Sequence, residues 1–284
     1  MSTDSDFRRI GIVGVGLIGG SLAFAVRRVF PDAAVIGIDR DDVTLVARQA
    51  GALTVGSTDL AALAEADLIV LAAPITQNIA VLGCLGAFVR GPALVTDVGS
   101  TKRSTVEAAR ALPPPLTFIG GHPLAGSARG GLEASRVDLF ERRPWLLTPD
   151  RETPAAAQQR LTHFVSALGA TPIVVDPLTH DHVMAYTSHL PQLTASALMH
   201  VVGDSVGEAG LRLSGSGLAD TTRVAASPAP IWSDICRTNA DEVLPALDRL
   251  INTLQTVRGQ LAADASIVPS QTGVSLHVIW SRAA

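Results

Sequence analysis

One histidine of this chain stands in a frame of small and rigid residues, Phe118-Ile119-Gly120-Gly121-His122-Pro123-Leu124-Ala125-Gly126-Ser127. An imidazole with an unperturbed pKa of about 6.5 is largely neutral at pH 7 and can take a proton from a hydroxyl. Shortly before it comes Asp97-Val98-Gly99-Ser100-Thr101-Lys102, and far upstream comes Gly14-Val15-Gly16-Leu17-Ile18-Gly19. A glycine turn that holds phosphates, followed late in the same sheet by a framed histidine, predicts hydride-transfer chemistry with His122 as proton acceptor. The competing reading of His122 is a loop histidine satisfied by backbone. Ser100 has one too, as the N-cap of a helix starting at Lys102, and Lys102 reads as a solvated first-turn residue.

The glycine turn has a specific grammar. It follows a short apolar strand and opens a helix, so Gly14 permits the tight turn, Gly16 lets backbone approach a pyrophosphate, and Gly19 lets helix and strand pack closely. The helix start at Leu17 and Ile18 offers free N–H donors to phosphate. Asp39 ends the next predicted strand, where a carboxylate accepts from the adenosine ribose hydroxyls. That carboxylate repels a 2′-phosphate and favours NAD over NADP, although Arg40 beside it offers such a phosphate a partner. Ala72-Ala73-Pro74 closes another strand, and Ala73 and Pro74 are expected along the cofactor or, equally, in an ordinary strand-to-helix turn.

These residues need a scaffold, and the pattern supplies one. Strands are predicted at 9–13, 34–38, 68–72, 93–97, 117–119, 145–148 and 172–175, alternating with helices at 19–29, 42–50, 76–88, 102–111 and 155–168. Strands such as Leu68-Ile69-Val70-Leu71 are apolar on both faces, as a covered parallel sheet requires. After Asp176-Pro177 the pattern turns helical, over 180–202, 205–212, 217–225, 231–238 and 241–264. The expected architecture is therefore an α/β, Rossmann-type doubly wound parallel sheet over residues 1–176 and an all-α domain over 177–284. Residues 272–280 read as a terminal strand or an extended arm.

Composition narrows the partners. Hydrophobic residues make up 47% and charged residues 17%, which excludes a disordered chain. The net charge of −4 with no basic block argues against nucleic acid or an anionic membrane, so an anionic substrate needs individual arginines. Arg8-Arg9 and the apolar run 10–26 look like a secretory signal, but the spaced glycines inside the run belong to a nucleotide turn. No other stretch is long and apolar enough to span a membrane. Cys84 and Cys236 read as free thiols in a cytoplasmic protein. His180, His182 and His189 cluster in sequence, but their spacings do not stack them on one helix face, so no metal is expected.

Taken together, Gly14–Gly19, Asp97–Lys102, Gly120–Ser127, Ser188-His189-Leu190-Pro191 and Thr222-Arg223-Val224-Ala225 resemble the prephenate/arogenate dehydrogenases of tyrosine biosynthesis, in the same order along most of the chain. The resemblance implies oxidative decarboxylation of prephenate to 4-hydroxyphenylpyruvate with hydride transfer to NAD, or the corresponding reaction of arogenate to tyrosine. It implies that His122 draws the proton from the ring hydroxyl, with Ser100 beside it and Ser127 near the substrate. It assigns Arg223 to a substrate carboxylate, the alternative being an ion pair with Asp220 or Asp234. It places His189 on a pocket-lining helix that Pro191 breaks or kinks. Many prephenate-using relatives read Ser-His-Leu-Pro-His where this chain has Gln192, an uncharged amide that leaves the two substrates open. Trp232 matches a family aromatic or is a core residue. The resemblance also implies a homodimer through the helical domain. Another two-domain dehydrogenase is the rival enzyme, disfavoured because its catalytic lysine is missing from residues 177–284. A non-catalytic NAD sensor is the rival from outside enzymes, and it has no use for His122 and Arg223 together.

Overall fold

The computed structural model describes residues 7–127 and 129–265. β1 (Arg9–Val13) leads through α1 (Leu17–Val29) to β2 (Ala34–Ile38), α2 (Asp41–Gln49), β3 (Val55–Ser57) and β4 (Leu68–Leu71). Then come α3 (Ile75–Leu85), β5 (Ala93–Asp97), α4 (Arg103–Ala109), β6 (Leu116–Pro123), β7 (Pro144–Thr148), α5 (Ala155–Ala167) and β8 (Thr171–Val174). They build one eight-stranded sheet in the order β3-β2-β1-β4-β5-β6-β7-β8. Every neighbouring pair is parallel except β6 and β7. Alternate side chains explain why the central strands are apolar throughout. Leu68 and Val70 of β4 enter the core on one face, while Ile69 and Leu71 enter the core on the other.

The strand order reverses between β1 and β4, which opens a crevice above their carboxyl ends. One strand was not expected, and another runs well past its expected end. The unexpected strand, β3, is short, has no alternating pattern and is held by pairing with β2. β6 was expected to stop at Ile119, but it continues through His122 to Pro123 by changing partner. Leu116–Ile119 pair with β5, and Gly120–Pro123 pair with β7 in the opposite direction. His122 is thus a strand residue, not a loop residue. The glycines that look like breakers allow close approach instead: a Cβ on Gly121 would lie 2.5 Å from the Asp97 carbonyl oxygen.

Among the described residues only helices follow β8: α6 (Pro177–Met184), α7 (Leu190–Leu211), α8 (Ser216–Thr222), α9 (Ala229–Thr238) and α10 (Ala240–Ala265). One π-helical turn, Ala185–His189, joins α6 to α7. It is the form in which the break expected at Pro191 is realised. Proline lacks an N–H and crowds the carbonyl four residues back, that of Thr187, and a wider turn relieves both. The helices expected at 180–202 and 205–212 are redrawn: α7 runs through both, and its one non-helical residue is Gly207, at φ 61° and ψ −173°. The strand or arm expected at 272–280 lies outside the described residues.

Candidate active site

The glycine turn folds as its grammar requires. Gly14 has φ +91°, and a Cβ there would meet the Ala73 amide nitrogen at 2.6 Å. A Cβ on Gly19 would lie 1.9 Å from the Gly14 carbonyl oxygen, so any side chain would push α1 off the strand. At Gly16 a Cβ would meet nothing within 4 Å, and the residue faces open space where a ligand can approach. Asp39 closes the turn from β2: its carboxylate accepts from the Val15 amide at 2.7 Å and from the Arg40 amide at 2.8 Å. Arg40 itself is exposed, with its guanidinium on Asp42.

A cavity of about 570 Å³ lies on this turn. Gly14, Gly16, Leu17, Ile18 and Asp39 line one end, with Ala73 and Pro74 along the side, while Gly19 packs behind. Pro74 also precedes α3 directly, as the ordinary-turn reading of this loop expects. Buried Asn78, which sequence reasoning passed over, pins that turn: its amide donates to the Leu71 carbonyl at 3.2 Å and its oxygen accepts from the Ala73 amide at 3.2 Å. Ser100 and Ser127 line the other end, and Ile231, Asp234 and Ile235 of α9 wall the cavity from the helical side. Asp234 ties α9 to α3 by accepting from the amide and the hydroxyl of Thr76 at 3.1 and 3.3 Å.

His122 sits in the seam between sheet and helices, 9% exposed, and does not itself line that cavity. Its Nδ1 is 2.9 Å from Nε2 of His180, and Nδ1 of His180 is 2.7 Å from Asp181 Oδ1. Burial first, then the nearby His180, Lys102 and His189, hold the His122 pKa well below its ordinary value. Its ring is therefore neutral at physiological pH. Burial also lowers His180 despite the opposing pull of Asp181, and burial takes His189 down to about 4. Burial works to raise the Asp181 carboxyl, but hydrogen bonds from His180 and the Arg103 and Lys102 amides outweigh it and leave it lowered.

Three expectations about this region change. Ser100 does not cap α4. The Lys102 and Arg103 amides donate instead to the Asp181 carboxylate, at 2.7 and 2.9 Å, a cap supplied from another part of the fold. Lys102 is not a solvated residue: it is wholly buried, paired with Asp97 and donating to the Gly121 carbonyl at 2.8 Å. The available signal was that Lys102 is the single lysine of the chain. Third, Arg223 does not pair with Asp220 or Asp234. Arg223 is exposed at the start of a 3₁₀ turn and outside the cavity lining, and it makes no ion pair among the described residues. The Asp234 alternative for Arg223 is overturned, since Asp234 is held by Thr76 and Arg237.

The remaining candidates lie around the helical seam. His189 is buried, its Nδ1 3.3 Å from the Asn239 amide nitrogen and its ring against Trp232. Its Nε2 has no hydrogen-bond partner. Gln192 is buried, donates to the Ser196 hydroxyl at 3.2 Å, and leaves its Oε1 without a partner. His182 turns outward to Glu242 at 2.7 Å. Among the described residues no three His, Cys, Asp or Glu side chains are placed to hold a metal ion.

A doubly wound sheet with a glycine turn at its first strand end, a carboxylate closing that turn and a neutral imidazole on a neighbouring strand is the arrangement of a dinucleotide-dependent dehydrogenase. Residues 22–174 match the family described as "Prephenate dehydrogenase, nucleotide-binding domain", and residues 176–266 match "Prephenate dehydrogenase, dimerization domain". This chain belongs to the prephenate dehydrogenase family. It is 34% identical to prephenate dehydrogenase of Bacillus subtilis, over 87% of this chain and 68% of the other. It is also 34% identical to cyclohexadienyl dehydrogenase of Zymomonas mobilis, over 90% and 89%. The structure of Aquifex aeolicus prephenate dehydrogenase with hydroxyphenyl propionate and NAD+ superposes with a TM-score of 0.83 at 28% identity, over 91% of this chain and 92% of that one. Synechocystis arogenate dehydrogenase gives 0.76 at 30%, over 90% and 93%.

Proposed function

We propose that this chain oxidises prephenate at its hydroxyl-bearing ring carbon, releases the ring carboxylate as carbon dioxide and forms 4-hydroxyphenylpyruvate. One observation carries the reading: a single cavity joins the glycine turn and Asp39 to Ser100 and Ser127, in a fold that seats a neutral, buried His122 at the end of the adjacent strand. When bound, NAD supplies the hydride acceptor. Gly14, Gly16, Leu17 and Ile18 would hold its phosphates and Asp39 its ribose, with Ala73 and Pro74 alongside. Asp39 disfavours a 2′-phosphate, and Arg40, engaged by Asp42, does not offset it. His122 takes the hydroxyl proton on its unpartnered nitrogen, and Ser100 steadies the same hydroxyl. Arg223, free of ion pairs among the described residues, binds a substrate carboxylate, while Ser127 and His189 contact the substrate. The chain divides near residue 176, and its helical part forms a homodimer, a reading supported by the match to a dimerization domain and by the exposed Val201, Leu244 and Leu254. Purified protein given NAD and prephenate should raise the NADH absorbance with stoichiometric carbon dioxide; silence with both prephenate and arogenate would sink the reading. Light scattering should give twice the chain mass.

Arogenate is the second reading, and Gln192 favours it. Its amide donor is occupied by Ser196 while its Oε1 has no partner, so it has an acceptor to offer an ammonium group. The ratio of kcat/KM for the two substrates decides.

A further inference from the structure

His122 belongs to a chain of three groups. A carboxylate can only accept, so the 2.7 Å contact between Asp181 and His180 puts the His180 proton on Nδ1 and leaves its Nε2 bare. That bare nitrogen lies 2.9 Å from His122 Nδ1 and can only accept from it. The His122 proton is therefore on Nδ1, and His122 Nε2, which has no partner among the described residues, carries the free lone pair. The carboxylate at the end of the chain is itself immobilised by the Lys102 and Arg103 amides and by Arg103 Nε at 3.2 Å. His122 comes from the sheet, and His180 and Asp181 from α6, so the chain exists only where the two parts of the fold meet.

We propose that His180 and Asp181 are positioning residues for the reaction, holding His122 as the Nδ1–H tautomer and dispersing the charge it gains. The proposal rests on the reading of His122 as proton acceptor. In that step one proton leaves the substrate oxygen for His122 Nε2. The O–H electron pair stays on oxygen and becomes the second carbon–oxygen bond as hydride departs from carbon. His122 is then an imidazolium whose Nδ1–H still donates to His180, and His180 in turn leans on the Asp181 carboxylate. Without that support the new charge would face buried Lys102, which opposes it. Lys102 is already committed to Asp97 and Gly121, so Asp181 is the anion left to serve the histidines.

The test compares Asp181→Asn, His180→Leu, His180→Gln and His122→Asn. An amide in place of Asp181 can donate to His180 Nδ1, which reverses both rings and puts the His122 proton on the wrong nitrogen. Such a carboxylate-to-amide change behind a catalytic histidine costs up to about 10⁴-fold in turnover in serine proteases. Here Asp181→Asn and His180→Leu should each lower kcat by about 10²–10⁴-fold, with KM and NAD affinity within about threefold. Glutamine at 180 keeps an acceptor for the His122 Nδ1–H and should retain turnover within about tenfold of the parent. Nitrogen-15 NMR of histidine-labelled protein, with the His122 signals assigned by their loss in His122→Asn, should place its proton on Nδ1 in the parent and on Nε2 in Asp181→Asn.

Parent-like kcat and an unreversed His122 ring in Asp181→Asn would overturn the proposal. If Asp181→Asn fails to fold, the two His180 variants decide, and equal turnover in Leu and Gln overturns it. His122→Asn separates the two readings. If it alone stays fully active, the acceptor assignment falls and the positioning role with it. If it is inactive while the His180 and Asp181 variants are unaffected, only the positioning role falls.

Discussion

At the glycine turn, Asp39 reaches Val15 across 24 positions of sequence, inside one strand–helix–strand unit. In the seam between sheet and helices, His122 reaches His180 across 58 positions, from a sheet strand to a helix of the other part of the fold. The first site is a product of local chain geometry, since turn, helix start and carboxylate follow each other along one βαβ path. The second is assembled by packing and depends on α4, α6 and β6 arriving together. The contrast predicts that binding and proton transfer are separable by mutation, and the variants at Gly14 and His122 test that separation.

The largest expected effect is at the packed end. His122→Asn should lower kcat by about 10²–10⁴-fold while NAD affinity, measured by titration calorimetry, stays within about twofold. A matching loss of NAD affinity would merge the two ends. Lys102→Met removes one member of a buried ion pair and strands Asp97, a change that costs about 3–5 kcal/mol. It should appear as a lower denaturant midpoint, and adding Asp97→Asn should recover part of it. Arg223→Ala should weaken substrate binding by about 1.5–3 kcal/mol and raise KM, with kcat little changed; an unaltered KM removes Arg223 from the site.

At the local end, Gly14→Ala puts a side chain at positive φ against Ala73, a strain of about 1–3 kcal/mol. It should weaken NAD binding and leave the His122 ring nitrogens unshifted in the NMR spectrum. The smallest effect per step is on pH. Folded His189 sits at about 4 against about 6.5 when unfolded, so between these values the unfolded chain binds the extra proton. Stability is whole above pH 6.5 and falls toward pH 4, by about 1.4 kcal/mol per unit for such a group. His122 and His180 add to the same slope, being lowered as well. Melting temperatures flat across that window would contradict the neutral cluster.

Much of the glycine turn was legible in the residue order. Gly14, Gly16, Gly19 and Asp39 take the places that their type and spacing give them, because glycine freedom and carboxylate charge act over a few residues. The strands of the sheet were visible as doubly apolar runs. The missed pieces lacked such local signals. β3 is too short for a pattern, and β6 runs through two glycines that read as breakers until β7 pairs with them. Asp181 capping α4 joins residues nearly eighty positions apart. His180 and Asp181 are adjacent in sequence, yet nothing local says which histidine they serve.

The order of residues was enough to specify a doubly wound sheet, its glycine turn, the carboxylate at the end of the second strand and a helical second part, since each depends on short-range geometry and hydrophobic period. Packing alone decided that Lys102 is buried, that α4 is capped from afar, and that His122 has Nδ1 protonated and Nε2 open. A ring nitrogen takes its proton according to the partner it meets. For His122 that partner is brought into contact only when sheet and helices close on each other.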